Sequence, residues 1–162
     1  MSSKHAGARA GKEILFTILS LIAEGKMPEP MYRDKLAYLK RYGYITQTGH
    51  HTSLTPKGGY ALSEAKIWNL TIPTPQKWNH KWYLVAFDIP NDKRKRRDSF
   101  RLRLKELGLK RYQNSVWIYP HPLKDTVKTI ANFYALSKCV SFIVAEEISE
   151  EDALHKYFKL SL

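Results

Sequence analysis

The chain has 162 residues, 43% hydrophobic and 12% aromatic, enough for one medium domain or two small ones with filled cores. With 27 Lys and Arg against 15 Asp and Glu, its formal charge is +12, a balance that suits a partner carrying phosphates. No run approaches the ~20 apolar residues of a membrane span, and no small-residue cleavage site follows the apolar stretch near the N-terminus. A single cysteine, Cys139, rules out an intramolecular disulfide. The expectation is a cytoplasmic protein without a membrane partner.

Residues 1–11 are short, basic and rich in small side chains, and read as a flexible arm. From Lys12, apolar residues at Ile14, Leu15, Ile18, Leu19 and Ile22 form one stripe of an amphipathic helix that ends near Gly25. Pro28 and Pro30 break the chain. A second, basic helix follows, with Tyr32, Leu36 and Leu39 on one face and Arg33, Lys35, Lys40 and Arg41 on the others; Gly43 ends it. The β-prone segments 44–48 and 52–55 flank Gly49-His50-His51 and predict a hairpin with a polar tip. Pro56 to Gly59 reads as a turn and Tyr60 to Trp68 as a helix. Residues 12–66 thus form a first module, and 67–78, with Pro73 and Pro75, a stiff linker.

In residues 79–146, Trp82 to Phe87 is a buried-type strand stopping at Asp88-Ile89-Pro90. Asp92 is placed to cap a helix running to Leu107. Strands are predicted at 109–113 and 116–119, then a helix with Val127, Ile130, Ala131 and Tyr134 in phase. Cys139 and the apolar run 140–145 read as a closing buried strand. The βαββαβ order predicts a ferredoxin-like fold. Residues 147–162 hold a last helix with Ser149 as its cap. The fold class expected is α+β, a winged-helix-like module followed by a ferredoxin-like domain.

Charge is segregated along the chain. Between Lys93 and Arg111 stand ten basic residues against Asp98 and Glu106, whereas Glu146, Glu147, Glu150, Glu151 and Asp152 pool near the end. Five consecutive cations, Lys93 to Arg97, repel one another unless a polyanion or a solvated surface relieves them. His50 and His51 have no Cys or acid at zinc-ligand spacing, so a tip touching phosphates is favoured over a metal site. His80 and His121 read as partly exposed residues at strand ends.

The segments "LKRYGYI" and "SLTPKGGYAL" resemble the end of bacterial winged-helix regulators, where a glycine closes the recognition helix and an "LTxKG" turn follows the wing. Such a helix fits the major groove while the hairpin lies along the backbone. Between Gly25 and Gly43, however, there is room for one good helix where a helix-turn-helix needs two. A small helical module used for dimerisation is the competing reading.

The run "KWYLVAFDIPNDKRKRRDSFRLRLKELGLKRYQNSVWIYPHP" resembles the central domain of PaaX-type transcriptional repressors, itself similar to CRISPR-associated protein two; "FDIP" and "QNSVW" carry the resemblance. It implies a homodimer packed through the ferredoxin-like domains, placing two winged modules on two-fold double-stranded DNA. Arg33, Lys35, Lys40 and Arg41 would then enter or flank a groove. His50, His51 and Lys57 would touch backbone, and Arg94, Lys95, Arg96 and Arg97 would add sequence-independent attraction. No cofactor is required. The alternative is a metal-dependent endonuclease or CRISPR-adaptation subunit, in which Asp88, at the end of the first strand, would meet its dimer mate and hold Mg²⁺ for phosphodiester cleavage. A third reading has Tyr112, Trp117 and Tyr119 line an exposed sheet face and stack RNA bases.

Overall fold

A computed structural model describes residues 3–75 and 77–160, with side chains from 13 onward. The chain divides into two compact units, Met1–Asn69 and Leu70–Leu162.

In the first unit, α1 spans Ser3–Ala23. Its backbone is helical well before Lys12, over a stretch read as an arm; Ala6, Ala8 and Ala10 are strong helix formers and offset Gly7 and Gly11 there. Ile18, Leu19 and Ile22 are buried with Leu39, Ile45 and Leu62, and Ile14 and Leu15 pack against them, as the stripe predicts. A single 3-10 turn, Pro30–Tyr32, leads into α2, Arg33–Arg41. The missing helix is therefore one turn, in keeping with two prolines that limit regular backbone hydrogen bonding. Gly43, at φ +71°, reverses the chain after α2, and the Tyr44 N–H donates back to Leu39 O at 2.9 Å.

Strands β1 (Ile45–Thr48) and β2 (His51–Leu54) pair antiparallel with Thr48 opposite His51. The tip is therefore only Gly49-His50; His51, expected at the tip, is a strand residue. The helix expected from Tyr60 begins at Pro56, as α3, Pro56–Asn69. Thr55 explains the earlier start. Its hydroxyl accepts the Gly58 N–H at 3.1 Å, as an N-cap does, with proline at the first helical position. The same hydroxyl donates to Gly43 O at 2.6 Å, tying the turn to the end of α2.

The second unit contains β3 (Trp82–Phe87), α4 (Arg94–Glu106), β4 (Lys110–Gln113), β5 (Val116–Tyr119), α5 (Lys124–Phe133), β6 (Val140–Ala145) and α6 (Glu151–Phe158). The strands form one antiparallel sheet ordered β4-β5-β3-β6, the ferredoxin-like arrangement of two interleaved βαβ crossovers. Alternation along β3 sends Phe87 toward Phe100 of α4, their rings 5.5 Å apart, and Trp82 and Leu84 to the opposite face. That opposite face is closed by α6: Trp82, Leu84, Ile118 and Leu154 form one buried cluster with Phe158 against it.

Several local expectations change. Asp92 lies in a 3-10 turn, Asn91–Lys93, and α4 starts after Lys93 without a side-chain cap. Ser149 does not cap α6; Glu150 precedes it in the left-handed region at φ +63°. Cys139 ends a 3-10 turn, Ser137–Cys139, and β6 is a half-exposed edge strand because only β3 flanks it. Residues 70–72, read as linker, lie on this unit: Ile72 is buried, and Leu70 and Thr71 carbonyls accept from Arg103 and Thr126.

His121 is buried, with its ring 5.7 Å from Tyr119, rather than partly exposed. Burial holds its imidazole below the usual histidine pKa. Below about pH 6.5 the unfolded chain takes up a proton that the folded chain refuses, so stability falls as pH drops through that range. His121→Gln should flatten the decline in urea midpoint between pH 7.5 and 5.5. An unchanged slope in the variant would show that His121 is not its source.

Candidate nucleic-acid interface

The interface candidates in the first unit are built on α2 and the hairpin. Leu39 is buried and Leu36 and Tyr32 are half-buried, which fixes the inward side of the helix; Arg33, Lys35, Lys40 and Arg41 are all exposed. They do not share one stripe. Arg33 and Lys40, seven residues apart, lie on one side of α2, and the Lys40 ammonium donates to Gln47 Oε1 of β1 at 3.3 Å. Lys35 lies on the other side, and Arg41 is on the outward face between them.

Gln47 in turn donates to Gly49 O at 3.4 Å, steadying the tip beside exposed His50 and His51. Lys57 has a structural task as well as an exposed one. Its ammonium donates to Tyr42 O at 2.8 Å and lies 4.5 Å from the Tyr44 ring centre, holding the C-terminal end of α2.

Two residues of this surface were not singled out in the sequence. Tyr38 on α2 and Tyr42, the residue that follows the helix, are exposed and form an i,i+4 aromatic pair 4.5 Å apart between ring centres, with the Arg41 guanidinium 6.0 Å from the Tyr42 ring. Their i,i+4 spacing is the signal that the sequence holds for the pair.

In the second unit the cation run divides. Arg97 donates to Ile89 O at 3.3 Å and Asn91 Oδ1 at 3.2 Å, clamping the turn after β3. Arg101 donates to Asn114 O at 3.2 Å and stacks over Phe87. Arg103 is buried and donates to Leu70 O; burial draws its pKa down, and the nearby Glu106 carboxylate opposes that shift. Arg94 pairs loosely with Asp98, at 3.8 Å. Lys95 and Arg96 are exposed, with no ion pair among the described residues. The stretch is therefore partly internal scaffolding and not one positive face.

Asp88 is exposed just beyond β3, and its own N–H donates to Cys139 O at 3.0 Å. Among the described residues no group of three His, Cys, Asp or Glu side chains is placed to hold a metal ion. Within one chain Asp88 supplies a single exposed carboxylate; the Mg²⁺ site expected there would take its second carboxylate from another copy. The aromatics considered for RNA do not form an open platform. Trp117 is buried, and Tyr112 packs against the Trp82 cluster and donates its hydroxyl to Ser149 O at 3.3 Å.

A ferredoxin-like unit following a small helical unit with a two-stranded hairpin defines a two-unit α+β protein, in which no described helix is long and apolar enough to cross a membrane. Residues 75–156, about half of the chain, match the family described as the PaaX protein central Cas2-like domain. The chain belongs to the PaaX family. No curated protein matches it.

Proposed function

We propose that this PaaX-family chain is a transcriptional regulator that binds double-stranded DNA as a homodimer, with its first unit working as a winged helix. The observation that carries the reading is the coupling of α2 to the hairpin. An exposed basic helix is joined to the wing through Lys40–Gln47, and its C-terminal end is fixed through Lys57–Tyr42 and Thr55–Gly43. That pairing supplies a rod for a groove and a ribbon for the adjacent backbone.

The second unit supports pairing of copies. Its strand β6, flanked in the sheet by β3 alone among the described residues, exposes Ile143 and Val144, an edge that a second copy could cover. Lys95 and Arg96 add cations that would draw a polyanion without reading it. The reading is consistent with a cytoplasmic protein and needs no cofactor.

The Lys40→Ala, Arg41→Ala double variant tests it. Removing two cations from the helix should weaken duplex binding ~10-fold or more at ~150 mM salt and lower the salt dependence of binding. Unchanged affinity by fluorescence anisotropy would take α2 out of the interface.

A further inference from the structure

We infer that α2 reads bases through Asp34, Ala37, Tyr38 and Arg41, held between two phosphate-facing flanks: Arg33 with Lys40 on one side and Lys35 on the other. The inference rests on the DNA-binding reading above and divides its residues into those that read and those that hold.

The division follows from the geometry of one helix. Leu36 and Leu39 mark the inward direction, and each residue turns the chain by about 100°. Ala37 and Arg41, one turn apart, fall opposite the inward side, with Asp34 and Tyr38 next to them, and all four are exposed. Lys40 is assigned to the hairpin side by its bond to Gln47, and Arg33 shares that side at i−7. Lys35 lies about 220° from Lys40 measured across the exposed face, the shorter arc crossing the buried side of Leu36 and Leu39. Cations on both edges of a helix about 10–12 Å across meet the two phosphate walls of a major groove about 12 Å wide.

What lies between the edges differs in chemistry. Asp34 is acidic, so it is repelled from a wall but can accept from the cytosine N4 amine on the groove floor. The Arg41 fork matches guanine O6 and N7. Tyr38, 45% exposed, gives an apolar surface that water solvates poorly and thymine methyl groups would cover. Contact between the Tyr38 and Tyr42 rings, 4.5 Å apart and tilted by 39°, restricts both before any DNA arrives.

The test selects duplexes from a random-sequence library with the intact chain and with exposed-residue variants whose melting temperature matches the parent. The parent should enrich a consensus. Arg33→Ala and Lys35→Ala should keep that consensus, weaken every duplex by a similar factor and reduce the salt slope by about one each. Tyr38→Ala and Arg41→Ala should each lose preference at one or two positions, with the selected duplex weakened ~10-fold or more. If both of these keep the parental consensus, or if Arg33→Ala or Lys35→Ala changes it, the division is overturned. Duplex binding by the parent without enrichment would overturn base reading while leaving DNA binding intact. Absence of any duplex binding would overturn both.

Discussion

Replacing Gly58 with alanine should cost the first unit about 3 kcal/mol, a penalty out of proportion to one methyl group. A Cβ at Gly58 would stand 1.9 Å from Tyr44 O and 3.0 Å from its carbonyl carbon. That oxygen is not free to retreat, because it accepts the Thr55 N–H at 3.0 Å. Gly58 cannot retreat either, since its own N–H is bonded to Thr55 Oγ1. Relief requires opening the junction between the end of α2 and the start of α3. Overpacking costs ~1–3 kcal/mol, and a buried acceptor left unpaired adds ~1–3. Gly59→Ala is the control: its Cβ would meet nothing within 4 Å, so helix propensity should make it neutral or stabilising by up to ~1 kcal/mol. Urea unfolding of the two variants separates these cases. Equal midpoints would mean that the close approach at Tyr44 is not present. The "LTxKG" turn is, on this account, a packing requirement that places the hairpin beside α2.

Trp82→Ala should destabilise the second unit by about 3–5 kcal/mol, in the upper range for core truncations. Trp82 is fully buried, its Nε1–H donates to Glu151 Oε1 at 3.0 Å, and its ring lies 5.0 Å from Trp78 and 6.1 Å from Phe158. It thus joins the sheet to α6, through both volume and a polar contact. Trp82→Phe keeps most of the volume and removes the donor, and should cost ~1–2 kcal/mol. Thermal unfolding followed by near-UV circular dichroism reads both. A Phe variant as damaged as the Ala variant would mean that the bond to Glu151, rather than the packing, holds α6 in place.

Patterned segments were legible in the sequence. The α1 stripe, the apolar residues of α5 and the βαββαβ order each follow from periodicity and turn residues, which depend on nothing distant. The missed features depend on partners far along the chain. Arg97, Arg101 and Arg103 read as part of a cationic run because the carbonyls of Ile89, Asn114 and Leu70 that engage them cannot be paired with them from spacing. The run "VSFIVA" reads as a buried strand, since an apolar stretch does not say how many neighbours a strand has; β6 has one. His51 moved from tip to strand through a register that only the fold of the hairpin fixes. Of the candidate site, the cations of α2 were legible and their separation into two sides was implicit in the helical period. Tyr38 and Tyr42 were in view but unassigned, because burial decides between core and surface and the sequence does not state it.

The central claim, that this PaaX-family chain reads DNA, is tested most directly by comparing its binding to its own upstream DNA and to a random duplex of equal length at ~150 mM salt, where sequence-independent contacts are weak. A preference of ~10³-fold or more for the upstream DNA is the expected result. Equal affinities for the two duplexes would contradict the claim and leave the first unit as a module that holds phosphates without reading bases.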